Sequence, residues 1–385
     1  MNTHYELRLF DQTLLTFILT QDTSVGYALN IGKIYEPREL YPFDLDISDD
    51  GVLRWLERRV IPKNRTFVQE ILQTLGLKSG DTKGVIDVCK GLSLNDSYWV
   101  VPLGFDGKFA DYNLYENRFS EILSLVAYTG LTQSNVAFST SPELTTDGML
   151  PKAWRFIESD GIYLYKGGTS GFANTGKEPY SEHYAAQLAA VMSLDAVYYD
   201  LENWKGILAS KCKLFTDIDT SFVPIGRIVK SGGLAAVIKY YDNLGSEYAD
   251  AIRDMLVFDA LIFNEDRHFG NFGLLRDNHT GEIKAPAPIF DNGNALFYFA
   301  ASEDYTNLEA YAQTRTPAYP GTTFDGICQS FITARQVGKL RKLVNFSFTR
   351  HPKLNLPEEH LSAMEKYLRR RAIQLIELAK VRETE

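Results

Sequence analysis

Residues 259–273, DALIFNEDRHFGNFG, and the acidic residue twenty positions after Asn271 in APIFDNG hold the types and spacing that phosphoryl transfer needs. Asp266 can accept a hydroxyl proton. Asn271 and Asp291 can offer hard oxygens to Mg²⁺, which takes few protein ligands and keeps several waters. Such chemistry asks little covalent help of a protein: positioned oxygens and charge neutralisation suffice. Each residue alone reads equally well as a loop or cap residue; the three in this order point to one site.

Lys166 ends the apolar run IYLYK and can turn inward to nucleotide phosphates. A buried lysine needs an anionic partner to stay charged, and Glu182 on the following helix is suited to that. The turn-rich SPELTTDGMLPKAW precedes, with Gly148 its one glycine; its backbone N–H groups can cover phosphates. His268 suits a loop-organising hydrogen bond better than a metal. Arg267 can hold either a phosphate or a carboxylate. The chain carries no GxxxxGK[ST], GxGxxG or HExxH.

The elements that must position these residues follow from periodicity. Residues 5–36 alternate as strands. Segments 51–62, 65–77 (ended by Gly76) and 117–131 (closed near Gly130) read as amphipathic helices. WRFIE and IYLYK form a hairpin through Ser159-Asp160-Gly161. Residues 178–194 are helical, AVYYDL and GILASKCKLF are strands, and TDIDTSFVPIG is a polar linker. Beyond it, 249–263, segments near 324–347 and 358–381 are helices. Strands with one helix, a linker, then helices is the order of a two-lobed α+β protein-kinase-like fold. The expected partition is a small α/β N-terminal domain (1–130), a strand-rich N-lobe (131–218) and a helical C-lobe (219–385).

With 385 residues, 45% hydrophobic and 13% aromatic, the chain has ample material for such cores. A formal charge of −9 argues against the whole chain coating nucleic acid or an anionic membrane. Cys89, Cys212 and Cys328 form no CxxC pair, and neither a leader of signal-peptide length nor a stretch near the roughly 20 apolar residues of a membrane span is visible. A soluble, cytoplasmic protein is expected. The one dense basic run, RWLERRVIPKNR (54–65), reads as a solvated helix face or partner surface rather than a lipid contact.

NEDRHFGNFGLL followed by PAPIFDNG resembles the HipA-like serine/threonine kinases, toxin halves of bacterial toxin–antitoxin modules. TTDGMLPKAW resembles their Ser-x-x-Gly-x-x-x-Lys loop, and SEHYAAQLA their lobe helix with its glutamate. The resemblance spans about residues 130–385. It implies Asp266 as catalytic base, with His268 in the same loop, Asn271 and Asp291 as Mg²⁺ ligands, and Lys166 on ATP phosphates steadied by Glu182. Phe215 and Asp217 fall where the backbone meets adenine. Thr145, with Thr146 beside it, occupies the slot of a serine whose autophosphorylation expels the loop, since a phosphate adds nearly two negative charges. It further implies a protein substrate such as a translation factor, a helix-turn-helix antitoxin and no direct nucleic-acid contact. A phosphoinositide-kinase-like enzyme and a catalytically silent binding module are the rival readings.

Overall fold

The computed structural model describes residues 2–22, 26–132, 140–172 and 174–382. In chain order its elements are β1 (Asn2–Leu9), β2 (Gln12–Asp22), β3 (Gly26–Ile34), α1 (Asp49–Glu57), α2 (Val68–Thr74), α3 (Thr82–Cys89), β4 (Tyr98–Pro102), α4 (Glu121–Thr129), β5 (Lys152–Ile157) and β6 (Gly161–Lys166). Then come α5 (Glu178–Val191), β7 (Tyr199–Trp204), β8 (Ile207–Lys213), β9 (Thr220–Pro224), α6 (Ile225–Ile228), α7 (Gly233–Leu244), α8 (Ser246–Ile262), β10 (Gly273–Asp277) and β11 (Ile283–Pro286). The chain closes with α9 (Leu308–Ala312), α10 (Phe324–Phe331), α11 (Ala334–Arg341) and α12 (Glu358–Arg382). These gather into two compact units: residues 1–166 with 214–223 and 274–285, and residues 167–213 with 224–273 and 286–385.

In the first unit β1–β4 form an antiparallel sheet of order β3-β2-β1-β4. Alternation puts Tyr5, Leu7 and Leu9 of β1 and Leu15, Phe17 and Leu19 of β2 on the face that covers Val52, Trp55 and Leu56 of α1. A second core joins Ile71 and Leu72 of α2, Val85 and Cys89 of α3, and Leu123, Val126 and Ala127 of α4 with Leu144. Ser120 caps α4 through its side chain, and Gly130 ends it in the left-handed region, where glycine has no Cβ penalty. The hairpin β5–β6 is present, with Ile157 opposite Gly161 and Lys152 opposite Lys166. Ser159 takes φ 70° in its turn.

Two expectations change here. The polar linker contains a strand, β9, which pairs with β10 in a three-stranded sheet. Its Ser221 and Phe222 meet partners that a one-dimensional reading does not see: the Ser221 hydroxyl bonds the buried Asn278 Oδ1, and the Phe222 N–H donates to Asn95 O at 2.9 Å. The basic run is not uniformly a solvated face. Arg59 lies buried with both amino groups 2.8 Å from the Asp96 carboxylate, and Arg65 is buried against Glu143, while Arg54 and Arg58 are exposed.

The second unit is built on α8. Its residues 254–262 are all buried, and it packs against α7, α10 and α12. Asp254 ties it to α11, accepting from Lys339 Nζ at 2.6 Å and Gln336 Nε2 at 2.7 Å. The helix stops at Phe263, whose φ of 54° breaks the α geometry and throws the chain into the loop that follows. β7 and β8 pair antiparallel. A parallel bridge between Ala196 and Ile289, with Val197 N–H donating to Ile289 O and Ile289 N–H to Asp195 O, holds the segment leading to Asp291. The three cysteines are buried free thiols. No helix among the described residues is long and apolar enough to cross a membrane.

Candidate active site

The loop after α8 is folded by its own polar groups. Asn264 Oδ1 accepts from the Asp266 N–H at 3.0 Å, Asp266 O accepts from the His268 N–H at 2.8 Å, and the Asn271 N–H donates to His268 O at 2.9 Å. Asn271 Nδ2 donates to Asp266 O at 2.9 Å. That bond orients the amide by committing Nδ2 to the loop. The Asp266 carboxylate is about half exposed and receives Asn294 Nδ2 at 3.3 Å. His268 accepts from the Gly270 N–H at 3.0 Å through Nδ1. Its Nε2 stands 3.9 Å from Asp266 Oδ1, so it borders the carboxylate and organises the loop.

Asp291 sits at φ 58°, a left-handed conformation that, glycine aside, Asp and Asn tolerate better than other residues. Its N–H donates to Tyr199 Oη at 3.2 Å, and its carbonyl accepts from Asn264 Nδ2 at 3.3 Å. Glu182 of α5 accepts from the next residue's N–H, Asn292, at 2.7 Å, and Ser181 Oγ donates to Asn292 O at 2.6 Å. α5 therefore grips the strand end that displays Asp291.

Arg267 joins these parts. It is buried, and its Nε lies 2.9 Å from Asp259 Oδ2 while Nη2 reaches Asp259 Oδ1 at 3.0 Å. Nη1 donates to Asn271 O at 3.1 Å and to Phe290 O, and Nη2 to Asn292 Oδ1 at 2.6 Å. Of the two roles open to Arg267, a carboxylate occupies it. Burial alone would lower its pKa; the Asp259 charge outweighs that and holds it above the ordinary arginine value. Burial lifts the Asp259 carboxyl, with Arg267 opposing. Neither Asp259 nor the carbonyl contacts of Arg267 were expected from sequence; an acid eight residues before an arginine across a helix end is the only signal.

The Asn271 amide oxygen and the Asp291 carboxylate, both on backbone braced by Arg267, are donors of the hard-oxygen type that could hold Mg²⁺. Among the described residues no group of three or more His, Cys, Asp or Glu makes a ready metal cage. A cavity of about 430 Å³ opens beside the loop, lined by His268, Phe269, Leu234, Tyr319, Ile327 and Phe331 among others.

The first unit carries the other expected residues. Lys152 and Lys166 are register partners in the β5–β6 hairpin, each 8% exposed. Opposed residues of an antiparallel pair share a face, and like charges there are unfavourable unless an anion answers them. Lys152 Nζ donates to Asp147 O at 2.8 Å. Gly148 has φ 88°, a conformation that glycine adopts without strain and that disfavours a side chain there. The Gly148 N–H donates to Asp147 Oδ1 at 2.7 Å. Lys152 was missed as a site residue, although it fills the lysine slot four residues after Gly148. Thr145 Oγ1 donates to Leu92 O at 2.8 Å; Thr146 Oγ1 donates to Pro142 O at 2.6 Å and accepts from Trp154 Nε1 at 2.9 Å. Phe215 meets Phe222 edge-on, and Asp217 is exposed in the turn before β9, accepting from the Asp219 N–H at 3.0 Å.

No family model matches the chain. By sequence it is similar to the serine/threonine-protein kinase CtkA of Helicobacter pylori, 28% identical over 132 residues, covering 31% of this chain. The chain spans 40% of that relative's length. By structure it is similar to HipA of Shewanella oneidensis MR-1, solved as a toxin–antitoxin complex with HipB and operator DNA: TM-score 0.55, 13% identity, 99% of this chain and 100% of that one. A crystal structure of CtkA matches 60% of this chain and 94% of that one at TM-score 0.47 and 20% identity. The α+β fold of the chain is similar to that of HipA, as the sequence resemblance implied.

Proposed function

We propose that this HipA-like chain is a serine/threonine kinase that transfers the γ-phosphoryl group of ATP to a protein hydroxyl. The observation that carries the reading is the buried Arg267, which donates to Asn271 O, Phe290 O and Asn292 Oδ1 and so sets the loop of Asp266 and Asn271 beside the turn of Asp291. In this reading Lys166 and Lys152 hold phosphate oxygens, Glu182 steadies Lys166, and Gly148 gives the loop its turn. Phe215 and Asp217 border the base. Asn271 and Asp291 would hold Mg²⁺, which when bound neutralises charge on the phosphates. Asp266 takes the proton of the attacking hydroxyl, and His268 keeps the Asp266 loop in shape.

Thr145 or Thr146 is the expected site of self-modification. Thr145 Oγ1 ties the loop to Leu92 O and Thr146 Oγ1 ties it to Pro142 O, so a phosphate on either must break the bond that hydroxyl makes and loosen the loop. A growth-inhibiting role in the cytoplasm, a translation factor as substrate and an antitoxin partner extend the reading by analogy with HipA, whose solved complex contains HipB.

The test is turnover. Incubation with Mg·ATP should yield phosphate on Thr145 or Thr146 by mass spectrometry, and Asp266→Gln or Asp291→Ala should abolish it with the fold intact. Expression should slow bacterial growth, and the same changes should relieve it. ATP binding without transfer over a broad substrate panel would instead support a silent module.

A further inference from the structure

The loop that carries Thr145, Thr146 and Gly148 does not hold itself. Arg65, in the stretch between α1 and α2, reaches into it from 78 residues away. Its Nη2 lies 2.5 Å from Glu143 Oε2, with both side chains wholly buried. The same guanidinium donates to three backbone carbonyls along the loop: Glu143 O at 2.8 Å, Thr146 O at 3.3 Å and Lys152 O at 2.9 Å. Glu143 completes the tie, its Oε1 accepting from the Trp154 N–H at 2.7 Å in β5. Leu144 seats the loop's base in the core made by α2, α3 and α4. A planar guanidinium with five donors can clamp four acceptors at once; an ammonium cannot.

We propose that Arg65 is a positioning residue for the phosphate-binding loop, and that residues 1–130 thereby set nucleotide affinity without touching the nucleotide. The clamp spans the loop from Glu143 to Lys152, so it fixes the turn at Gly148 and the start of the strand that carries Lys152. Arg65 itself points at carbonyls and a carboxylate, none of which belongs to a ligand. This inference rests on the kinase reading for its effect on ATP, and on geometry alone for its effect on the loop.

The decisive comparison is between Arg65→Met/Glu143→Gln and the wild-type chain. The double change removes the Arg65–Glu143 pair as a unit rather than leaving one of its charges buried alone, and the glutamine oxygen still accepts from the Trp154 N–H, so the core should persist. Amide exchange over residues 141–152 should accelerate at least tenfold, while exchange in β1 and β2 stays as it was. The KM for Mg·ATP should rise at least tenfold with a smaller change in kcat, and Arg65→Lys should fall between. Unchanged exchange over 141–152, or faster exchange with unchanged KM, would overturn the proposal. A wild-type chain that binds no nucleotide would sink the kinase reading instead, and the exchange data would still decide whether Arg65 holds the loop.

Discussion

Arg267 and Asp259 form a buried, two-point ion pair across the end of α8, with Nε 2.9 Å from Oδ2 and Nη2 3.0 Å from Oδ1. The guanidinium's remaining donors go to Asn271 O, Phe290 O and Asn292 Oδ1. One cation thus sets the spacing between the loop that offers Asn271 and the turn that offers Asp291. Arg267→Met leaves Asp259 buried and uncompensated, a loss on the order of 3–5 kcal/mol. Arg267→Met/Asp259→Leu removes both charges and should recover much of that stability. Urea denaturation checks this. If the reading of the site is right, the double variant regains its fold and not its phosphoryl transfer, because the carbonyls of Asn271 and Phe290 have lost their common donor.

Asp291 offers a separable test of backbone and chemistry. At φ 58° a side chain with a Cβ is penalised and glycine is not. Asp291→Gly should be more stable than Asp291→Ala by roughly 1 kcal/mol, the usual left-handed cost. Both should be inactive, since neither has a carboxylate. Thermal melts of the two purified variants measure the difference. Equal melting temperatures would mean that the turn relaxes to negative φ once the aspartate is gone.

Much of this was legible in the sequence because it is local. The Asp266–Asn271 spacing lies within one loop, and that loop closes through hydrogen bonds between near neighbours. The helix α8 and the hairpin β5–β6 announce themselves through apolar periodicity and a turn. What stayed hidden is what the fold brings from a distance. Arg65 and Glu143 are 78 residues apart, and each looks like an ordinary surface charge in its own segment. The strand β9 reads as polar linker because Ser221 meets its partner, Asn278, only once the sheet forms. Lys152 stands in the sequence as the lysine of the TTDGMLPKAW loop, but that it lies opposite Lys166 is a matter of register, which neither strand alone spells out.

Glu182 distinguishes a hydrogen-bonding role from an electrostatic one. Its Oε2 accepts from the Asn292 N–H, and a glutamine can do the same. Glu182→Gln should therefore lie within about 1 kcal/mol of wild type, whereas Glu182→Ala orphans a buried N–H at a cost of about 1–3 kcal/mol. If the carboxylate also steadies Lys166, Glu182→Gln should raise the KM for Mg·ATP despite its near-normal stability. Wild-type KM in that variant would confine Glu182 to holding the Asp291 turn.

His183, next to Glu182 on α5, should make the second unit acid-sensitive. Its ring is buried, with Nδ1 2.9 Å from Tyr199 O and Nε2 3.1 Å from Gln187 Nε2. A carbonyl can only accept, so Nδ1 carries the proton and Nε2 accepts from the Gln187 amide. Protonating Nε2 would set two donors face to face. Burial lowers the His183 pKa below its ordinary value; the Tyr199 carbonyl and Asp200 work to raise it, and His351 to lower it. A base whose folded pKa is depressed binds its proton more readily when unfolded. Its contribution is complete above the unfolded value near 6.5 and is lost as pH falls toward the folded one, with a slope of at most about 1.4 kcal/mol per pH unit for one proton. His360, stacked on Tyr305 and also lowered by burial, titrates in the same sense, so the comparison must be made against a variant. The stability of His183→Gln, followed by urea midpoints from pH 7.5 to 5, should fall less steeply than that of wild type below pH 6.5. Parallel curves would mean that protonating His183 does not oppose folding.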